Sequence, residues 1–151
     1  SLPKILLVDG NRMGVAARKT VLRENGYEVV TASNCEDALQ LLSVQPVDVL
    51  VTEFRVQKLG GLEFIRQARD LNAALGVVVL SGFTDALGLH EANTGADVVL
   101  QKSATEVPQL LRAVKRLLGK KPARKPAGRA KGSVKTQAAA ASGSTNTRNK
   151  L

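Results

Sequence analysis

The chain has 151 residues, with 22 Lys and Arg against 13 Asp and Glu, one Cys, one His and no Trp. A single thiol, Cys35, excludes a disulfide framework and a thiolate metal cluster, so we expect a reducing, cytoplasmic compartment. Every apolar run falls short of the roughly 18 residues that cross a bilayer, and the first residues lack a signal-peptide pattern, so we expect no membrane partner and no leader.

Five short apolar runs alternate with segments of helical spacing. Continuous rather than alternating apolar runs are typical of strands that are covered on both faces, as in a parallel sheet. This order predicts an α/β domain with a doubly wound, five-stranded parallel sheet. The runs are Ile5–Val8, Val29–Val30, Val49–Val51, Val77–Leu80 and Val98–Leu100.

The helical segments between these runs each show an apolar face. The fourth, around Thr84–Asn93, is interrupted by Gly88, and the last runs from Val107 to Leu118, with Thr105 as its N-cap and Gly119 as its end. The positions predicted to face the core in the first three helices are Met13, Ala17 and Val21, then Cys35, Ala38, Leu41 and Leu42, then Phe64, Ala68 and Leu71.

Beyond the last helix the composition changes. Residues 1–118 contain 13 basic and 13 acidic residues, whereas residues 119–151 contain nine basic residues and no acid, which accounts for the whole net charge of +9. This tail is rich in Lys, Ala, Pro and Gly and has too few large apolar residues to offset a backbone ordering cost of about 1–2 kcal/mol per residue. We therefore predict one domain over residues 1–118 and a disordered basic tail over 119–151.

Four polar residues follow predicted strands. They are Asp9 after the first, Glu53 after the third, Ser81 after the fourth and Lys102 after the fifth. Since the carboxyl ends of parallel strands share one edge of the sheet, two carboxylates, a hydroxyl and an ammonium are expected to converge there.

The segments KILLVDGN, ENGYEVVTASNCEDALQLL, PVDVLVTE, VVVLSG and TGADVVLQK occur in this order, with a Gly60–Gly61 turn and a closing amphipathic helix. Over about residues 3–118 this pattern resembles the receiver domains of bacterial two-component response regulators. The resemblance implies a flavodoxin-like fold and a non-enzymatic role in phosphorelay signalling, with a sensor kinase or downstream effector as partner. By analogy with the family, the face formed by the last two helices and the fifth strand would contact that partner or a second copy.

The resemblance also implies roles for the residues at the strand ends. In this family an Asp at the position of Glu53 accepts a phosphoryl group, and residues at the positions of Ser81 and Lys102 bind the phosphoryl oxygens. An acidic pair after the first strand, of which Asp9 is the first member, holds Mg²⁺. These residue types suit the chemistry, which needs a carboxylate nucleophile, a divalent cation and donors to phosphate oxygens.

Four positions depart from the family pattern. Glu53 replaces the acceptor Asp, Gly10 replaces the second acid, Ser103 replaces a Pro, and Val99 replaces an aromatic residue. The longer Glu53 side chain moves its carboxylate by roughly 1.5 Å, and a misplacement of roughly 1 Å can cost 10²-fold in rate. We predict a degenerate receiver that is not switched by phosphorylation, with at most a weak Mg²⁺ site at Asp9 and Glu53 and a trans peptide bond after Lys102.

Two interpretations of Glu53 remain open at this point. Its carboxylate could reach towards Lys102 and Ser81 and imitate part of the charge of a phosphoryl group. Alternatively, Glu53 and Lys102 form a structural ion pair with no signalling role.

Two other function classes compete with the receiver hypothesis. Asp9, Ser81 and Lys102 also fit an aspartyl phosphotransferase of the haloacid dehalogenase type, but Asn11 stands where that family needs a second Asp. The tail could instead contact nucleic acid non-specifically, with a salt slope near −8 if all nine cations met phosphates, or it is a solvated linker. The candidate contact residues are Lys120, Lys121, Arg124, Lys125, Arg129 and Lys131.

Three remaining features have structural explanations. Cys35 lies on an apolar helix face and is expected to be a packing residue. His90 has no ligand cluster near it in the sequence, so we expect a surface histidine. The Gly60–Gly61 pair is typical of a loop with unusual backbone angles before a helix.

Overall fold

Five parallel strands form the centre of the protein in the computed structural model, which describes residues 2–53, 60–82, 90, 94–103 and 105–120. Their order in the sheet is β2-β1-β3-β4-β5, and every neighbouring pair is parallel. The predicted doubly wound, flavodoxin-like architecture is confirmed, and the point at which the strand order changes direction lies between β1 and β3. The strands are β1 (Lys4–Val8), β2 (Glu28–Ala32), β3 (Val49–Glu53), β4 (Gly76–Ser81) and β5 (Val98–Gln101).

Four helices cover the described part of the sheet. The predicted helix around Thr84–Asn93 lies outside the described residues, apart from His90. The described helices are α1 (Arg12–Glu24), α2 (Cys35–Val44), α3 (Gly61–Leu71) and α4 (Glu106–Lys120).

Side chains alternate between the two faces of each strand and so build two apolar layers. Leu6, Leu50 and Val77 pack with residues of α2 and α3 in one layer. In the other layer, Ile5 and Val51 pack with residues of α1 and α4, namely Leu22, Leu110, Ala113, Val114 and Leu117. A polar residue that follows a strand and continues the alternation of this second layer therefore lies on the face of the sheet that α1 and α4 cover.

The predicted core face of α1 is wrong. Met13 is 84% exposed, Ala17 is exposed and Val21 is only half-buried, whereas Leu22 is buried. The apolar spacing misplaced the face because a charged residue, Arg18, occupies an inward position where it meets buried carboxylates.

The other helix predictions hold with smaller corrections. Leu71 is 48% exposed because it is the last residue of α3, while Phe64 and Ala68 are buried as predicted. Thr105 directly precedes α4, and the helix passes Gly119 by one residue. No helix in the described ranges is long and apolar enough to cross a membrane.

Residues Ser1–Lys120 form one compact unit. The basic tail from Lys121 onward lies outside the described residues, so its predicted disorder and the boundary at 118/119 stay predictions.

Candidate functional site

The four polar residues predicted at strand ends all lie at the carboxyl edge of the sheet. Asp9 directly follows β1 and Lys102 directly follows β5. Glu53 and Ser81 are the last residues of β3 and β4 rather than the first residues after them. The strands are therefore slightly longer than their apolar runs.

Lys102 joins the two carboxylates of this edge. Its Nζ donates to Glu53 Oε2 at 2.8 Å and to Asp9 Oδ2 at 3.3 Å. All three residues continue the strand alternation that faces α1 and α4, because each comes two positions after a residue of that layer. The structure thus brings Asp9, Glu53 and Lys102 into one cluster.

Ser81 is attached to this cluster through the backbone. Ser81 is only 2% exposed, and its backbone carbonyl accepts the Lys102 N–H at 2.8 Å. Ser81 therefore fixes the point at which Lys102 leaves the sheet. The predicted contact of its hydroxyl with phosphoryl oxygens stays a prediction.

Asp9 is held on both oxygens. Oδ1 accepts the Asn11 backbone N–H at 2.8 Å, and Oδ2 accepts from Lys102 and from Arg18 Nη1, the latter at 3.2 Å. Burial alone would raise the pKa of Asp9, but the Asn11 N–H and the charge and hydrogen bond of Lys102 together hold the pKa of this carboxyl below its ordinary value.

Asn11 closes the start of α1. Its Oδ1 accepts the N–H groups of Met13 and Gly14, each at 3.1 Å, which makes it the N-cap. A haloacid dehalogenase-type phosphotransferase needs a second Asp at this position, whereas Asn11 caps the helix.

Two residues of the cluster were missed from the sequence. Arg18 of α1 donates through Nε to Glu106 Oε2 at 2.5 Å and through Nη2 to Glu106 Oε1 at 3.1 Å, besides its bond to Asp9. The two side chains are only 11% and 7% exposed. The hydrogen bond from Arg18 to Glu106 outweighs burial and raises the pKa of Arg18, so the guanidinium stays charged. The sequence signal for Arg18 was weak, because it is one of four basic residues of α1 and nothing in the sequence singles it out.

Besides Glu53, three positions depart from the family pattern, and the structure shows their surroundings. A Cβ at Gly10 would meet only the Ser33 carbonyl oxygen at 3.9 Å, so a side chain would fit there. Val99 is half-buried against the layer of α2 and α3. Ser103 precedes α4 and accepts two N–H groups at its start, that of Thr105 on Oγ and that of Glu106 on its carbonyl. The peptide bond after Lys102 is trans as predicted.

The donor set does not fit a magnesium ion. Mg²⁺ needs near-octahedral oxygen ligands, of which a family site supplies several as carboxylates. Here Asp9 and Glu53 already neutralise Arg18 and Lys102, and position 10 carries no side chain. Within the described ranges, no group of three or more His, Cys, Asp or Glu residues could hold a metal ion.

The three residues given structural explanations behave consistently with them. Cys35 is buried in the core, and burial raises the pKa of its thiol. His90 is exposed. Gly60 has φ of 80°, a left-handed conformation that favours glycine, directly before α3.

Comparison with known proteins identifies relatives of this chain. The family model described as the response regulator receiver domain matches residues 5–115. The alkaline phosphatase synthesis transcriptional regulatory protein PhoP of Bacillus subtilis is 32% identical over 119 residues, which cover 75% of this chain and 48% of PhoP. The hydrogenase transcriptional regulatory protein HoxA of Cupriavidus necator is 33% identical over 92 residues, 58% of this chain and 19% of HoxA. The chain thus spans about half or less of the length of these relatives.

Solved structures agree with the sequence relatives. A response regulator receiver domain protein from Clostridium thermocellum superposes with a TM-score of 0.68 at 27% identity, covering 78% of this chain and 95% of that one. The response regulator TrrA from Thermotoga maritima, solved in complex with Mg²⁺–BeF, gives a TM-score of 0.68 at 26% identity and covers 77% of this chain and 99% of that one.

Proposed function

This chain belongs to the response regulator receiver domain family of two-component signalling, and we propose that it is a receiver whose output does not depend on phosphorylation. The cluster of Asp9, Glu53 and Lys102 keeps one charge state, and the domain presents a constant surface to a protein partner. That partner is a sensor kinase or a downstream effector. The proposal rests above all on the 2.8 Å ion pair between Glu53 and Lys102.

That ion pair occupies the groups that phosphorylation would use. In the family, the carboxylate at this position attacks phosphorus and the Lys then binds a phosphoryl oxygen. Here Glu53 Oε2 is bonded to Lys102 Nζ, so the nucleophile and the oxygen-binding ammonium satisfy each other. We propose that Glu53 imitates part of the charge of a phosphoryl group, because its carboxylate contacts the ammonium group that the resemblance assigns to a phosphoryl oxygen.

Arg18 supports the same proposal from the metal side. Family members use a divalent cation to neutralise charge between the carboxylates and the phosphoryl group. In this chain a guanidinium 3.2 Å from Asp9 supplies fixed positive charge, and it cannot be released as a metal ion can. The charge balance of the pocket is therefore built into the polypeptide.

Treatment with Mg²⁺ and a small phosphodonor such as acetyl phosphate tests the proposal. We expect the intact mass to remain that of the unmodified chain. The Glu53 carboxylate is bonded to Lys102 and lies on a longer side chain than that of the acceptor Asp, and Gly10 offers no carboxylate to Mg²⁺. A stoichiometric phosphoryl adduct on Glu53 would overturn the proposal.

Two variants serve as matched controls. Glu53→Asp alone should stay unmodified and bind Mg²⁺ poorly in calorimetry, since Gly10 still offers no carboxylate. Gly10→Asp combined with Glu53→Asp should gain measurable Mg²⁺ affinity, because the space at position 10 accepts a side chain.

A second candidate function rests on the charge of the tail. Residues 119–151 hold nine Lys and Arg and no acid, and we propose that they contact the phosphates of duplex nucleic acid without reading sequence. Replacing the nine cations by Gln should reduce duplex affinity and flatten its salt dependence, by a slope of up to about 8 if every cation meets a phosphate. Unchanged anisotropy titrations would leave the tail as a solvated linker.

A further inference from the structure

The outer surface of α4 carries positive charge only. Of its residues up to Gly119, five are exposed, and three of these are Arg112, Lys115 and Arg116. Their spacing of i, i+3 and i+4 places them on one face, opposite the buried Leu110, Val114 and Leu117 of this helix.

Within the described ranges, no acidic side chain pairs with these three cations. The one carboxylate of α4, Glu106, is buried and bonded to Arg18 on the inner side of the helix. Among the described residues, no Asp or Glu lies within salt-bridge distance of Arg112, Lys115 or Arg116. These three side chains are exposed to solvent.

The two helices on the opposite side of the sheet show no excess of exposed cations. The exposed residues of α2 include Glu36 and Asp37 and no cation, and those of α3 include one of each sign, Arg66 and Asp70. In these described helices the exposed charges are therefore separated, net positive on α4, net negative on α2 and balanced on α3. Such separation orients a protein towards a polyanion.

We infer that the outer face of α4, defined by Arg112, Lys115 and Arg116, is a contact surface for the phosphate backbone of duplex nucleic acid. The inference rests on the second candidate function and deepens it, since it extends the contact from the tail to the folded domain. The helix ends at Lys120, so the same polypeptide passes from this face directly into the basic tail.

The composition of the face favours nucleic acid over other anionic partners. Helices that bind membrane surfaces insert large apolar residues between their cations. The large exposed apolar residues in the described ranges are Leu2, Met13, Val44, Leu62 and Leu71, and none belongs to α4. Protein interfaces are enriched in buried aromatic anchors, and α4 has no aromatic residue. Phosphate contacts need only exposed cations at regular spacing.

The test compares salt dependence in the full chain. A fluorescent mixed-sequence duplex of about 24 base pairs is titrated at several KCl concentrations with three proteins. They are the wild type, the triple variant Arg112→Gln/Lys115→Gln/Arg116→Gln and the tail-neutral protein, in which the nine Lys and Arg of residues 119–151 are replaced by Gln. We expect the triple variant to lose affinity and to reduce the salt slope by about 3, close to 0.9 for each phosphate contact removed.

A matched control separates a local contact from a change of net charge. Gln40→Glu/Ser43→Glu/Ala73→Glu also changes the charge by three but at exposed positions on the α2 and α3 side, and should leave the slope nearly unchanged. A charge-preserving variant, Arg112→Lys/Arg116→Lys, should bind like the wild type. Circular dichroism of each variant verifies folding, which the exposure of these positions and the helix propensity of Gln favour.

Several outcomes would overturn the inference. If the triple variant matches the wild type while the tail-neutral protein loses binding, the tail alone makes the contact. If the control variant weakens binding equally, the effect is one of net charge. If only the triple variant loses binding, the inference stands and the tail hypothesis fails. Tighter binding of the wild type to vesicles of phosphatidylglycerol and phosphatidylcholine than to the duplex would assign the face to lipid instead.

Discussion

Asp9 shows how the role of one carboxylate follows from its partners. In a metal-dependent receiver this position helps to hold a divalent cation, according to the resemblance. Here the same carboxylate takes an N–H from Asn11, a guanidinium from Arg18 and an ammonium from Lys102. Every donor belongs to the chain itself, so the ionised form of Asp9 is stabilised whenever the domain is folded.

This stabilisation predicts a pH dependence at the scale of the single residue. Because the pKa of Asp9 is lower in the folded protein than its ordinary value of 3.8, folding favours the ionised carboxylate. Its contribution is complete above the unfolded-state pKa and is lost as the pH falls through the folded-state pKa. The free energy of unfolding of the wild type should therefore exceed that of Asp9→Asn most at neutral pH, and the gap should narrow below about pH 4.

Urea titrations of both proteins between neutral and acidic pH check this prediction. Asp70→Asn removes a carboxylate whose side chain is 67% exposed and serves as the baseline. A gap between wild type and Asp9→Asn that stays constant across the whole range would mean that the charge of Asp9 does not contribute.

At the scale of helices and strands, periodicity predicted the architecture well where one physical rule dominates. Continuous apolar runs mark strands buried on both sides, and they located all five strands and hence the edge where Asp9, Glu53 and Lys102 meet. The apolar face of α4 was also predicted, because its stripe is uninterrupted.

Periodicity failed where a charged residue takes an inward position. The Arg18 side chain lies on the sheet-facing side of α1 because it bonds to two buried carboxylates. These belong to Asp9, 9 positions before it, and to Glu106, 88 positions after it. Nothing local to α1 encodes those partners, so hydrophobic spacing assigned the core face to Met13 and Ala17 instead. A contact across 88 positions depends on the tertiary fold, which a window of neighbouring residues cannot contain.

At the scale of the whole molecule, the pair Arg18–Glu106 links the first helix to the last one described. Both helices pack on the same face of the sheet, and the pair lies at the edge where the pocket is. The cluster from Glu53 through Lys102, Asp9 and Arg18 to Glu106 therefore connects the acceptor position to the helix whose outer face we propose as a contact surface.

Breaking this link should be costly in a characteristic order. Removing one partner of a buried ion pair typically costs about 3–5 kcal/mol, because the other charge is left uncompensated. We expect Arg18→Met to destabilise more than Glu106→Gln, since Arg18 serves two carboxylates and Glu106 one cation. The double variant should destabilise by less than the sum of the two single variants, with a coupling free energy of about 0.5–3 kcal/mol, because neither charge is then left without its partner.

Urea denaturation at neutral pH measures all three free energies of unfolding, with Arg66→Met as the control because its ion pairs are on the exposed surface of α3. Additive losses for Arg18 and Glu106 would show that the two helices are held by packing alone, and the pocket would then be independent of α4.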